Sequence, residues 1–226
     1  ARGAHTANSP KQLAQASDII ITCLPSPDAC SAVMEGTEVE EGVIAGLSAG
    51  KIWLEMSTTD ESEIRRIGEL VKAAGAEPVD CPVSGGCHRA DTGNISIFAG
   101  CSRAAFERVL PVLTTLGRRV LHTGELGTAS KLKVVTNYLA TAHLVALGEA
   151  LTACKVMGLD MNVSYEAIKA SSGTSFVHET ESQVILNGSR DINFTVDLVL
   201  KDVGLFNTLT QREGMKLDLA PLLVDI

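Results

Sequence analysis

RVLHTGELGTASKLKVVTNYLATAHLVALGEALTACKVM, residues 119–157, is where the chain changes character. Arg119-Val-Leu-His122 reads as a short strand, Gly124 and Gly127 interrupt it, and a helical pattern then runs from Thr128 to Met157 with one interior glycine, Gly148. Between Val134 and Cys154 the only formal charge is Glu149. A helix apolar around most of its circumference is expected to be buried. One row departs from that pattern: Ala129, Lys133, Asn137 and Thr141 follow an i, i+4 spacing and form a polar stripe.

Upstream of this stretch, strand-like and helix-like segments alternate. Asp18-Ile-Ile-Ile-Thr-Cys-Leu24 is a β-branched run ended by Pro25, the pattern of a strand buried on both faces of a parallel sheet. A short helix is expected from Pro27 to about Met34, strands at Lys51–Met56 and Glu77–Cys81, and between them a helix from Glu61 to about Ala74. Ser57-Thr-Thr-Asp60 supplies N-cap chemistry for that helix, and Gly75 stops it. Asn94–Ala99 alternates with period two, and helix Arg103–Leu116 follows, ended by Gly117. This alternation predicts an α/β domain with a largely parallel sheet.

Downstream, helical periods continue at Ser164–Ala170, Phe176–Leu186 and Val196–Arg212, separated by Gly173, Gly188 and Asp191-Ile-Asn193. The boundary is therefore placed near Gly124: residues 1–124 form the α/β domain and residues 125–226 an all-helical domain.

Composition narrows the function classes. The 226 residues are 45% hydrophobic and 20% charged, which is globular rather than disordered. A net charge of −8 with no basic run argues against a nucleic-acid or anionic-membrane partner. The most apolar stretch, Leu139–Gly158, is broken by His143, Glu149 and Lys155, so no membrane span is expected. The six cysteines form no C-x-x-C pair and no zinc-ligand spacing, so no metal site is assigned and a reduced, cytoplasmic protein is expected. The chain starts at Ala1 and ends within an apolar run, and both ends are expected to lie inside a longer sequence.

Three places can carry chemistry. A lysine is rarely buried without a partner or a task, and removal from water makes an ammonium a usable acid or base near neutrality, which singles out Lys133. Asp80-Cys-Pro-Val-Ser-Gly-Gly86 ends a strand in a turn whose N–H groups and Ser84 hydroxyl suit a carboxylate or phosphate. Leu24-Pro25 and Ser57-Thr58 also follow strand ends and suit the lining of a cofactor crevice. Lys201-Asp202 reads more simply as part of a solvated helix face. No Ser/His/Asp order supports a hydrolase, and no G-x-G-x-x-G is present.

Asp80-Cys-Pro-Val-Ser-Gly-Gly86, Gly93-Asn-Ile-Ser-Ile-Phe-Ala-Gly100 and Gly127-Thr-Ala-Ser-Lys-Leu-Lys133-Val-Val-Thr-Asn137 together resemble the β-hydroxyacid dehydrogenase family, in order and spacing across essentially the whole chain. The resemblance implies a Rossmann domain, incomplete here at its N-terminus, followed by an all-helical domain joined through a long helix and shortened at its end. It implies NAD or NADP as cofactor and a small 3-hydroxy acid such as 3-hydroxyisobutyrate as substrate. Lys133 matches the family's general acid/base, and Asn137 its substrate-orienting asparagine. Ser84, Gly85 and Gly86 match the loop holding the substrate carboxylate. Leu24, Pro25 and Thr58 match positions lining the cofactor, and Lys201 matches a lysine closing over it. The sequence departs from the family's pattern at Ala129, where a second glycine is usual, and at His88 and Arg89, where small residues are usual; these bear on the substrate more than on the reaction. The first βαβ unit, with its pyrophosphate-binding turn, is expected to precede Ala1. A homo-oligomer, dimer or tetramer, is expected from the apolar helical domain. The competing reading is a non-catalytic Rossmann-fold module for binding or oligomerisation, and the presence of Lys133 counts against it.

Overall fold

The computed structural model describes residues 3–189 and 194–226; the break expected at Asp191–Asn193 lies outside them. The chain divides into two compact units, Ala1–Val134 and Val135–Ile226.

The first unit is a six-stranded sheet with helices on both faces. In chain order it contains α1 (Pro10–Ala16), β1 (Ile19–Thr22), α2 (Pro27–Glu35), β2 (Ile52–Glu55), α3 (Glu61–Ala73), β3 (Glu77–Asp80), β4 (Val83–Ser84), α4 (Gly86–Asp91), β5 (Ser96–Gly100), α5 (Arg103–Leu116) and β6 (Arg119–Gly124), followed by the start of α6 (Thr128–Val156). Strands β1, β2 and β3 are parallel neighbours. Strand β5 runs against β3 and β4, and β6 lies parallel to β5. The sheet is thus mixed rather than largely parallel. A crossover helix would have returned β5 parallel to β3, but the chain turns back through the short β4–α4 segment.

Alternation along β2 assigns the two cores. Ile52 and Leu54 face a cluster with Val79, Ile97 and α5 residues Ala105, Phe106, Val109 and Leu113. Trp53 faces Ala14, Ile20, Cys30, Met34, Ile64, Ile67 and Val71 on the opposite side. All four residues of β2 are buried. The same was expected of β1, but its Ile21 is 46% exposed. The sequence reading also had no α1, β4 or α4: each is short, and each begins at Pro, Val or Gly without an apolar period long enough to register.

The second unit holds most of α6, then α7 (Met161–Lys169), α8 (Phe176–Asn187), α9 (Val196–Arg212) and α10 (Leu219–Asp225). Leu147 and Leu151 pack with Val177, and Tyr138 stacks on Phe206 with ring centroids 4.1 Å apart. Helix α6 is not buried all round as its composition suggested. Leu132, Val135, Leu139 and Leu144 are exposed, while Lys133 and Thr141 of the polar row are buried. At 100° per residue the exposed Leu132, Val135 and Leu139 share one side of the helix, whereas exposed Leu144 lies in the sector of the polar row. By length and composition alone α6 is the one described helix able to cross a membrane, a test that core helices of water-soluble folds also pass.

Leu54 has no exposed surface and sits between the central strands and α5. Leu54→Ala is expected to lower the stability of this unit by about 2–5 kcal/mol. The measurement is urea unfolding followed by Trp53, the only tryptophan, and a loss below ~1 kcal/mol would contradict this packing.

Candidate active site

Parallel strands bring their C-terminal ends to one edge of a sheet, and open α/β sheets bind ligands there. At this edge Thr22, Glu55 and Asp80 stand side by side, paired in register across β1, β2 and β3. All three are buried, the two acids completely.

Glu55 organises the first two turns. Its Oε2 accepts from Thr22 Oγ1 at 2.6 Å and Cys30 Sγ at 2.8 Å, and its Oε1 accepts from the Ser57 N–H at 2.7 Å. Ser57 Oγ in turn accepts from the Leu24 N–H at 2.7 Å. The turn after β1, with half-buried Leu24 and exposed Pro25, is thereby tied to the turn after β2, with half-buried Thr58. Ser26 caps α2 by accepting from the Ala29 N–H, which fixes where the first turn ends.

Asp80 organises the third turn. Its carboxylate accepts from the Ser130 N–H at 2.8 Å and from Ser130 Oγ at 2.7 Å, and it also takes a backbone hydrogen bond from Gly127. These bonds pin the first turn of α6 to the end of β3, fifty residues away in sequence. Lys133, 7% exposed, follows on the next turn. Burial pushes the Asp80 carboxyl up to about 7; the Ser130 bonds oppose the shift, and the Glu55 charge adds to it.

Ser84 ends β4 opposite Ser96 of β5. Gly85 and Gly86 follow with φ of +132° and +73°, a backbone that side chains rarely tolerate. No heavy atom lies within 4 Å of the place a Gly86 Cβ would occupy, whereas the Arg89 side chain lies over Gly85. His88 and Arg89 are exposed on α4. The turn is open, with its backbone uncovered at Gly86.

In the second unit Asn137 and Lys201 meet on one acid. Asn137 Nδ2 donates to Asp202 Oδ2, and Lys201 Nζ lies 2.8 Å from Asp202 Oδ1. Asp202 is 1% exposed, so this pair is not the solvated face read from its sequence. A charged dipeptide in an apolar helix carries no sign of which of its residues points inward.

Glu55, Ser57, Ser130 and the buried role of Asp202 were not singled out from sequence. The signal available for Glu55 was an acid inside an otherwise apolar strand, Ile-Trp-Leu-Glu-Met, where a charge needs partners. Two other histidines are held elsewhere: His122 Nε2 bonds Cys101 O at 2.8 Å, and buried His178 is held between Ser182 Oγ and Tyr165 O. Among the described residues no group of three metal-ligating side chains gathers, and all six cysteines are free thiols.

A mixed α/β sheet with polar groups at its strand ends is an arrangement that binds ligands along that edge. Residues 1–124 match the NAD binding domain of 6-phosphogluconate dehydrogenase, and residues 127–225 match the NAD-binding domain of NADP-dependent 3-hydroxyisobutyrate dehydrogenase. The chain belongs to the β-hydroxyacid dehydrogenase family. It is 34% identical over 206 residues to 2-(hydroxymethyl)glutarate dehydrogenase of Eubacterium barkeri, covering 91% of this chain and 67% of that one. It is 31% identical over 208 residues to 3-sulfolactaldehyde reductase of Escherichia coli K12, covering 90% and 68%. The crystal structure of a 3-hydroxyisobutyrate dehydrogenase from Salmonella typhimurium superposes with a TM-score of 0.86 at 25% identity, over 96% of this chain and 75% of that one. The cofactor is NAD or NADP, and the activity is that of a hydroxyacid dehydrogenase.

The strand-end turns carry groups suited to such a cofactor. Leu24 and Pro25 offer an apolar wall, Thr58 a hydroxyl, and the Leu24–Ser57 hydrogen bond holds the two turns together.

The Asp80 shift has a definite sign in stability. A carboxyl raised above its unfolded value binds its proton more tightly in the folded state, so its contribution is complete below about pH 4 and is lost as pH rises toward 7. Asp80→Asn is expected to remove a slope on the order of 1 kcal/mol per pH unit across that window. Thermal unfolding of both proteins between pH 4.5 and 7.5 checks it, and parallel curves would contradict the assignment.

Proposed function

We propose that this protein interconverts a small 3-hydroxy acid and its carbonyl form, with 3-hydroxyisobutyrate the lead substrate and Lys133 the group that handles the proton. The observation that carries this reading is a lysine buried to 7% exposure on the second turn of α6, directly after the turn that Asp80 pins to the sheet. An ammonium kept from water and held on a fixed helix is suited to move one proton repeatedly.

NAD or NADP, when bound, accepts or supplies hydride at the substrate carbon. In the oxidising direction Lys133 Nζ takes the hydroxyl proton; in the reducing direction it gives that proton back to the carbonyl oxygen. Asn137 lies one helical turn further along α6, and we assign it to orienting the same substrate oxygen. The Ser84 hydroxyl and the N–H groups of Gly85 and Gly86 are assigned to the substrate carboxylate, for which the uncovered turn is suited. Leu24, Pro25 and Thr58 are assigned to the nicotinamide, and Lys201, held by Asp202, to the cofactor from the helical unit.

Two further assignments complete the reading. The exposed Leu132, Val135 and Leu139 of α6, which share one side of the helix, support association with a second copy of the chain, as a dimer or tetramer. The free thiols support a reducing, cytoplasmic location.

The test is nicotinamide absorbance at saturating NAD and NADP with 3-hydroxyisobutyrate, glycerate, 3-hydroxypropionate and threonate. Lys133→Ala is expected to lower kcat by roughly 10²–10⁴-fold. Dinucleotide affinity should be little changed. Lys133→Arg is expected to be similarly poor, because a guanidinium keeps its charge and cannot accept the proton. Near-normal turnover in either variant would refute the lysine's role.

A further inference from the structure

The buried carboxylate of Glu55 is not among the groups assigned to substrate or cofactor, yet three donors converge on it. Trp53 Nε1 donates to Thr22 Oγ1 at 2.8 Å, so the Thr22 proton is directed away from the indole and toward Glu55 Oε2, 2.6 Å distant. Cys30 Sγ donates to the same oxygen. Burial, and then the Glu55 charge, push the Cys30 thiol well above its ordinary range, so it remains a donor. The other oxygen takes the Ser57 N–H, and Ser57 Oγ takes the Leu24 N–H. Every neighbour donates and Glu55 only accepts, which leaves the network one arrangement.

Stability does not by itself account for such a group. A buried charge costs much of what its hydrogen bonds return, and apolar side chains often serve a core as well. What an apolar residue cannot do is fix the direction of three donors, from α2, β1 and the turn after β2. The chain of bonds ends on the Leu24 and Ser57 amides, in the two turns that carry Leu24, Pro25 and Thr58.

We infer that Glu55 is a positioning residue for the cofactor: it sets the spacing between the turn after β1 and the turn after β2, and so shapes the wall against which the nicotinamide end rests. This rests on the assignment of those turns to the cofactor made above. The glutamate acts through Ser57 and makes no contact with the reacting atoms.

The experiment compares Glu55→Gln, Ser57→Ala and the unsubstituted full-length chain by amide hydrogen exchange and by calorimetric binding of NAD and NADP. In Glu55→Gln an amide oxygen still faces the Ser57 N–H, but an NH₂ group faces two donors, Thr22 and Cys30. Exchange at Leu24 and Ser57 is expected to rise about tenfold or more without cofactor, while Val79 in β3 stays protected. The Kd for the preferred dinucleotide is expected to rise about fivefold or more, with a smaller change in the substrate KM. Ser57→Ala leaves the buried charge and its other partners in place and removes only the link to Leu24. It is expected to reproduce the Leu24 exchange and the weaker binding with little loss of thermal stability, which keeps the inference testable if Glu55→Gln unfolds. Lower thermal stability with unchanged Kd would reduce Glu55 to a structural role and overturn the inference. Unchanged Leu24 protection in both variants would overturn it as well. Failure of the unsubstituted chain to bind either dinucleotide would instead remove the cofactor assignment of the turns, and this inference with it.

Discussion

A carboxylate at the end of a buried strand must be met by donors, and here two such carboxylates stand next to each other. Glu55 and Asp80 are register partners at the C-terminal ends of β2 and β3, and neither has exposed surface. Each recruits donors from distant sequence: Glu55 from residues 25 and 33 positions back, Asp80 from a residue 50 positions ahead. These bonds fix the turns that follow the parallel strands, which loops alone do not. The proximity of two acids also has an electrostatic cost, visible in the upward displacement of Asp80, to which the Glu55 charge contributes.

The two acids divide the labour of the strand ends. Glu55 ties the turns after β1 and β2 to each other, whereas Asp80 ties β3 to the first turn of α6. A helix so anchored at its start presents its next turn in a fixed rotational phase, and buried Lys133 lies on that turn. In the helical unit a third buried acid, Asp202, holds Asn137 and Lys201. The recurring device is a buried acid that gathers polar partners from distant sequence.

The long elements were legible in the sequence for simple reasons. Helices Arg103–Leu116 and Val196–Arg212 carry sustained apolar periods with clear ends, and the structure places them at those residues. Lys133 stood out because a charge in an apolar helix demands an explanation. The short elements were not legible: β4 and α4 reverse the direction of β5 within a dozen residues, too few for either period to show, and the sheet is mixed as a result. Burial of a polar side chain was harder still. Nothing local distinguishes Asp202, which points inward, from a neighbouring surface charge; its partner Asn137 comes from 65 positions away. The exposed side of α6 misled for the opposite reason, since an apolar pattern says that a face wants cover and not that its own chain supplies it.

Substrate identity is separable from this machinery. The family relatives named above share the architecture yet carry different substrates in their names, as fold and function commonly part. In this chain the groups that hold geometry are buried: Glu55, Asp80 and Asp202 cannot change without leaving donors stranded in the interior. The groups beside the open Ser84–Gly86 turn are exposed: His88 and Arg89 project from α4, and only the Arg89 stem rests on the backbone at Gly85. An exposed side chain on a short helix can be exchanged with little effect on folding. The groups that hold geometry therefore sit where substitution is costly, while the side chains beside the Ser84–Gly86 turn occupy positions where substitution is cheap.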